Sequence, residues 1–276
     1  MSKLYLFQEL FNEKDPLRLD EYMYCVNKNI DNTNIQKIYL VYHTEEFNSD
    51  IPYFTNLISN KIKKNTKVEL IPSSDKRFTF GKFSELVSIL LPEESIALVA
   101  NLDVFIPEIP SWNNIDTEFF SVVKNDGCLA LCRTEYINDV WQYREETSWK
   151  AGEYADCWIF KMPLKFTKKD FPFDVAVGNA PQCDNFMFGF LTSKYKRMFN
   201  WAEKYTVYHF DLVRKPKKVV DRCGVMMTND KTLALPKNDM LKHVTPYQDW
   251  SKMLQEDFIV PELLRVAALP SGSITK

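Results

Sequence analysis

Short apolar runs alternate along the first hundred residues with stretches whose apolar positions repeat at helical spacing. Residues 4–7, 38–42, 67–71 and 95–100 read as strands, the last an unbroken apolar run of the kind buried on both faces. Asp15-Pro16 is an N-cap followed by proline at the first helical position. Leu19, Tyr22, Met23 and Val26 then fall at i, i+3, i+4 and i+7, with Arg18 and Glu21 near the helix start and residues 29–34 as the closing turn. A weakly patterned helix is expected around 52–63. A clearer one covers 80–91, with Phe83, Leu86, Val87 and Leu90 on one face. Strands recurring roughly every 30 residues with helices between them have the spacing of βαβ units in a mostly parallel sheet.

Beyond Pro110 the texture changes. Residues 119–123 and 128–132 read as strands, 134–153 as a polar, aromatic loop, and 156–160 as a further strand that begins at an acid. Asp184 is placed to cap a helix over 186–193, and 205–211 reads as the last strand. Leu254 to Ala268 has enough apolar residues for a helix, and the end of the chain reads as a loose tail.

Composition narrows the class. The 276 residues are 45% hydrophobic and 26% charged, with a formal net charge of −2, which gives no global electrostatic case for nucleic acid or an anionic membrane. Lys61, Lys63, Lys64 and Lys67 fit the solvated face of a helix and its exit. The opening apolar run is too short for a secretory signal and no window reaches a membrane span, so a cytoplasmic protein is expected. Six cysteines without CxxC spacing read as buried thiols, and three histidines without HxxxH spacing suggest no zinc protease. Seven glycines supply neither GxGxxG, nor a P-loop, nor a GxSxG elbow.

Candidate chemistry gathers at strand ends. Asn101 and Asp103 follow the 95–100 run, and strand alternation predicts that they share a face, two oxygen donors suited to a hard divalent cation at the carboxyl end of a sheet. The competing reading is a strand-terminating turn in which both satisfy nearby backbone groups. Asp156, Asp184, His209 and Asp211 lie at later strand or helix ends. Separated acids in a chain with a βαβ first half are what a metal-dependent nucleotide-sugar transferase requires, one set to hold the cation and another carboxylate to activate an acceptor hydroxyl.

Those residues carry a resemblance. Arg18-x-x-Glu21 with Asn29, Arg77-Phe-Thr-Phe80, Asn101-Leu-Asp103, Arg133, residues 156–160, residues 182–185, and His209 with Arg214 resemble, in order and spacing, the GT-A glycosyltransferases encoded by large algal DNA viruses of the chlorovirus type, with similar sequences in bacteria. The resemblance covers about residues 4–214. It implies an α/β chain with the GT-A fold, a mostly parallel central sheet flanked by helices. One domain over 1–276 would comprise a nucleotide-sugar-binding half (1–103), an acceptor half (104–215) and a C-terminal extension (216–276). A UDP-sugar donor, Mn²⁺ or Mg²⁺, and a glycan acceptor are also implied.

Carried over by position, Asp103 would bind the cation, with Asn101 in the place of the first acid of the family's DxD and His209 as a third metal or diphosphate ligand. Asp211 stands where the family often has a second histidine, and its role stays open. Arg77, Arg133 and Arg214 would hold the nucleotide or its phosphates, the alternative for Arg77 and Arg133 being surface salt bridges. Asp156 would hold sugar or acceptor hydroxyls or act beside Asp184, the expected catalytic base. Asp184 as a simple helix cap is the other reading, and Trp158 is either a sugar platform or core. Asn101→Asp is expected to be tolerated, since it restores the family's usual acid.

The leading reading is an inverting glycosyltransferase that moves one sugar, with xylose or a deoxyhexose as candidates, to a hydroxyl of an oligosaccharide. A nucleotide-sugar hydrolase or nucleotidyltransferase on a related sheet is the second reading. A non-catalytic carbohydrate-binding protein with a degenerate GT-A fold is the third.

Overall fold

The computed structural model describes residues 3–48, 52, 57–63, 65–137, 140–143, 155–171, 174–178, 183–202, 204–212, 225–228 and 231–234. Its centre is a seven-stranded sheet. In chain order the elements that build and flank it are β1 (Leu4–Leu10), α1 (Pro16–Asp31), β2 (Ile35–His43), α2 (Thr44–Asn48), β3 (Val68–Ser73), α3 (Phe80–Leu90), β4 (Ile96–Ala100), β5 (Val104–Phe105) and β6 (Gly127–Leu131). They continue as β7 (Thr134–Ile137), β8 (Val140–Tyr143), β9 (Cys157–Lys161), α4 (Cys183–Lys194), β10 (Arg197–Phe199) and β11 (Tyr208–His209). A separate antiparallel pair, β12 (Val225–Thr228) and β13 (Lys231–Ala234), lies further along.

The large sheet runs β10-β6-β9-β4-β1-β2-β3, and β9 alone lies antiparallel to its neighbours. This is the expected α/β architecture, a mostly parallel central sheet flanked by helices. Alternation along the strands sends successive side chains to two cores. Leu4, Leu6 and Leu10 of β1 join Leu19, Tyr22, Met23 and Val26 of α1 on one face. Tyr5 and Phe7 join Phe83 and Val87 of α3 on the other. The helices begin where the sequence places them: Asp15 accepts from the Leu17 and Arg18 amides ahead of Pro16, and Thr79 accepts from the Lys82 amide.

A smaller sheet, β5-β11-β7-β8, stands at the carboxyl edge of the first. β11 pairs antiparallel with β5, setting His209 opposite Val104, and the Phe210 amide donates to the Asp103 carbonyl at 2.9 Å. Segments more than a hundred residues apart are thereby fixed side by side.

Several elements depart from the sequence reading. Residues 116–120 form a helical turn instead of the strand expected over 119–123. Phe119 and Phe120 are consecutive and both fully buried, Phe119 against Phe199 and Trp201, which a helical turn permits and a strand with one buried face does not. The expected loop over 134–153 opens as the hairpin β7–β8, with 144–153 beyond the described residues. Over 52–63, Pro52 is helical and Leu57–Lys61 forms a helical turn, with 53–56 outside the described residues; α2 precedes them and was not expected. β10 was not foreseen, and only Tyr208 and His209 of the expected 205–211 strand pair in a sheet. The expected helix over 254–268 lies outside the described residues.

Candidate functional site

β4 ends at Ala100, and the chain turns at once, the Val104 amide donating to the Asn101 carbonyl at 3.2 Å. Strand alternation therefore does not extend through Asn101 and Asp103, and their side chains meet different partners. Gln8, on β1, fastens the turn by donating to the carbonyls of Asn101 (2.7 Å) and Val104 (3.1 Å). Asn29 of α1 braces it from behind, donating to Val104 and accepting from the Ile106 amide. The strand-terminating turn is real, and what holds it comes from distant segments.

Asp103 enters a buried knot of charge. Its Oδ2 accepts from Arg18 Nη2, and His209 Nε2 lies 3.2 Å from the same oxygen. Arg18 Nη1 also reaches Glu21 at 2.6 Å and Asp211 at 2.9 Å, while the Arg18 guanidinium sits 4.5 Å from the centre of the Tyr22 ring. Glu21 is held in turn by the Leu212 amide at 2.6 Å. Burial alone would lower the Arg18 guanidinium, but the Asp103 carboxylate and then Glu21 hold it above its ordinary value. For His209, burial likewise opposes the charge, and Asp103 outweighs it, so the imidazole is raised.

Asn101 turns toward a second cluster, donating from Nδ2 to Asp156 Oδ1 at 3.0 Å. Gly178 lies against it at a φ of +62°, where a Cβ would fall inside Asn101 Oδ1, so this position demands glycine twice over. Asp156 precedes β9, and because β9 runs against its neighbours its beginning lies at the edge where β4 and β6 end. Arg133 follows β6 and sits 3.4 Å from Asp156 Oδ1, with its Nε 2.6 Å from Glu135. Burial works against the Arg133 charge, and Asp156 and Glu135 together raise it. Asp184, in the first turn of α4, accepts from the Ala155 amide. Burial, and next the Asp156 carboxylate, push its carboxyl well above the usual range.

The structure thus brings Asn101, Asp103, Arg133, Asp156, Asp184, His209 and Asp211 to one end of the sheets. Arg77 is elsewhere along that edge: it pairs through two nitrogens with Glu9, which also accepts from the Phe78 amide. The salt-bridge reading of Arg77 therefore describes its present contact. Arg77 and Glu9, with Phe11, His43 and Lys76, line a cleft of about 560 Å³ beyond β1 and β2. Trp158 is core, 2% exposed and packed on Phe80 and Phe188, which removes it as a sugar platform. Arg214 lies outside the described residues. Gln8, Glu9 and Glu135 were missed; Gln8 and Glu9, two polar residues in succession inside an apolar strand, were the available signal.

As a donor set, Asp103, His209 and Asp211 can hold a metal: their ligand atoms all lie within 4.8 Å of one another. Two carboxylates and an imidazole suit Mn²⁺ better than Mg²⁺. Such a cation would have to contend with the N–H groups that Asp103 and Asp211 already accept. Asn101 offers its amide hydrogen to Asp156, away from that trio.

No family model and no curated protein matches the chain. Among solved structures it is similar to residues 1–349 of TarS from S. aureus, at 12% identity and a TM-score of 0.46, over 75% of this chain and 60% of that one. It is also similar to HddC from Yersinia pseudotuberculosis, at 13% identity and a TM-score of 0.32, over 62% of this chain and 80% of that one. The same protein complexed with GMP-PN gives a TM-score of 0.35 at the same identity and coverage. The chain spans less than two thirds of the TarS chain. Among the described residues no helix is long and apolar enough to cross a membrane.

Proposed function

We propose that the protein is an inverting glycosyltransferase of GT-A type that moves one sugar from a UDP-sugar to a hydroxyl of an oligosaccharide. The observation that carries the reading is the meeting of Asp184 with Asp156 and Arg133 at the sheet edge where Asn101, Asp103 and His209 also gather. A raised carboxyl is a strong base once ionised, suited to take the proton of an acceptor hydroxyl. The hydroxyl oxygen then bonds to the anomeric carbon as the bond to the diphosphate breaks on the opposite face. No second carboxylate is needed as a covalent nucleophile, so the centre inverts.

In this reading Arg133 offers charge to the diphosphate, and Asp156, oriented by Asn101, holds sugar or acceptor hydroxyls. The cleft of Arg77 and His43 receives the nucleoside. Residues 1–103 supply the donor half, 104–215 the acceptor half and 216–276 an extension. Asp103, His209 and Asp211 would hold Mn²⁺ or Mg²⁺, which when bound neutralises the leaving diphosphate. The donor sugar is a pentose or deoxyhexose such as xylose.

Thermal shift with UDP, with and without Mn²⁺, tests the donor site: ligand at 100 times its dissociation constant stabilises by about 2.7 kcal/mol. A panel of UDP-sugars with glycan acceptors then tests transfer. No shift under any metal would sink the reading. Release of free sugar, or exchange of pyrophosphate, would replace it with a hydrolase or nucleotidyltransferase.

A further inference from the structure

Arg18 stands where negative charge converges. Its Nη2 donates to Asp103 Oδ2, and its Nη1 donates to Asp211 Oδ1 at 2.9 Å and to Glu21 at 2.6 Å. Asp103 and Asp211 are two of the three groups whose ligand atoms converge within 4.8 Å. The carboxylates that would hold a divalent cation therefore already share a monovalent one. The guanidinium comes from α1, an element separate from the turn and the strand exit that carry the acids, and its side chain is only 8% exposed.

We propose that Arg18 is a resident counterion that competes with a divalent cation for Asp103 and Asp211, so that the cation enters only as the guanidinium withdraws. Two physical arguments agree on the direction. The guanidinium holds one oxygen of each acid, Oδ2 of Asp103 and Oδ1 of Asp211, through its two terminal nitrogens. With Arg18 in place an entering cation meets a like charge a few ångströms away in a buried, weakly screened setting, whereas without it the carboxylates of Asp103, Glu21 and Asp211 offer the cation more net negative charge. The inference adds regulation to the site of the proposed transferase. It rests on that reading for the cation's part in the reaction but not for its binding.

The test is titration of the full chain with Mn²⁺ alone, by calorimetry and by the loss of free-Mn²⁺ paramagnetic signal, for the parent, Arg18→Gln, and Arg18→Gln combined with Asp211→Asn. Arg18→Gln is expected to bind one Mn²⁺ about tenfold or more tightly than the parent, a difference of about 1.4 kcal/mol. The double variant should lose the gain. Equal affinity in parent and Arg18→Gln, or a gain that survives Asp211→Asn, would overturn the proposal. If Arg18→Gln does not fold alone, Mn²⁺ should restore a cooperative melt, because a ligand of the folded state stabilises it. Failure of both Mn²⁺ and Mg²⁺ to do so overturns it equally. UDP titrated separately keeps the two ideas apart. A gain in Mn²⁺ affinity without UDP binding in any metal leaves the counterion and removes the transferase, and the reverse result does the opposite.

Discussion

Arg18 and Arg133 are both guanidinium groups held among carboxylates at the same edge of the fold, and they are held differently. Arg18 is the more buried, with side-chain exposure of 8% against 20%, and it is engaged on both terminal nitrogens by Asp103, Glu21 and Asp211. Arg133 lies 2.6 Å from Glu135 and stands off from Asp156 at 3.4 Å. The Arg18 knot joins α1 to the turn after β4 and to the segment after β11, and removing its centre takes from the acids the cation that three of them share. The Arg133 cluster keeps looser geometry beside Asp184, whose carboxyl is raised by burial and by Asp156.

The largest expected effect sets these clusters apart on stability. Arg18→Ala should destabilise the fold by about 3–5 kcal/mol, the usual result of breaking a buried ion pair by removing one partner. Arg133→Ala should cost about 1–3 kcal/mol. Urea unfolding of both variants measures the contrast, and equal losses would erase it.

Next in size is Asp184→Asn, which should lower the transfer rate by about 100-fold or more while UDP binding stays near parental. Turnover close to the parent's would move the base to Asp156 or Asp211. The same variant gives opposite pH signatures. In the folded protein Asp184 keeps its proton to higher pH than in the unfolded chain, where its pKa is about 3.9. Its contribution to stability is therefore fully present below that value and is lost as pH rises through the raised one. Parental activity should climb over the window in which this stability falls. Asp184→Asn should flatten both curves, as read by melting temperature and initial rate against pH.

Smaller still is Asn101→Asp, which the sequence reading expects to be tolerated and for which the contact to Asp156 argues a cost in stability. The amide donates to Asp156, so an acid in its place sets two carboxylates together and loses a hydrogen bond to a charged group, at about 1.5–3 kcal/mol. Chemical denaturation of the variant tests this, and parental stability would show that the amide is not needed as a donor. At the bottom of the scale, Lys61→Ala, which breaks an exposed pair with Asp20, should change stability by less than about 1 kcal/mol.

Much of the frame was legible because it is local. Asp15-Pro16 marks where α1 starts, and apolar runs mark β1 to β4, since capping and strand burial are written in adjacent residues. The helical turn at 116–120 was not, because whether Phe119 and Phe120 alternate or stack depends on Phe199 and Trp201. The candidate site divides in the same way. Asn101, Asp103, Asp156 and Asp184 announce themselves as polar residues at element ends. Arg18 and Glu21 look like the ordinary charged start of an amphipathic helix, and only β11, nearly two hundred residues later, turns that start into an interior. The partner of Arg77 was not legible for the converse reason: Glu9 hides inside an apolar strand.

The antiparallel strand β9 has a consequence for how this chain can be divided. Until residues 157–161 emerge from the ribosome, β4 has no neighbour on one side, and a row of unsatisfied backbone groups flanked by Leu98 and Val99 stays open. A fragment stopped at residue 103 would carry the four-stranded βαβ half with that edge bare, and should aggregate instead of yielding a soluble piece. A fragment that continues through β10 closes it. Synthesis of the amino-terminal half therefore runs well ahead of its own completion, and a chaperone that shields exposed strand edges would find its target in the interval between β4 and β9.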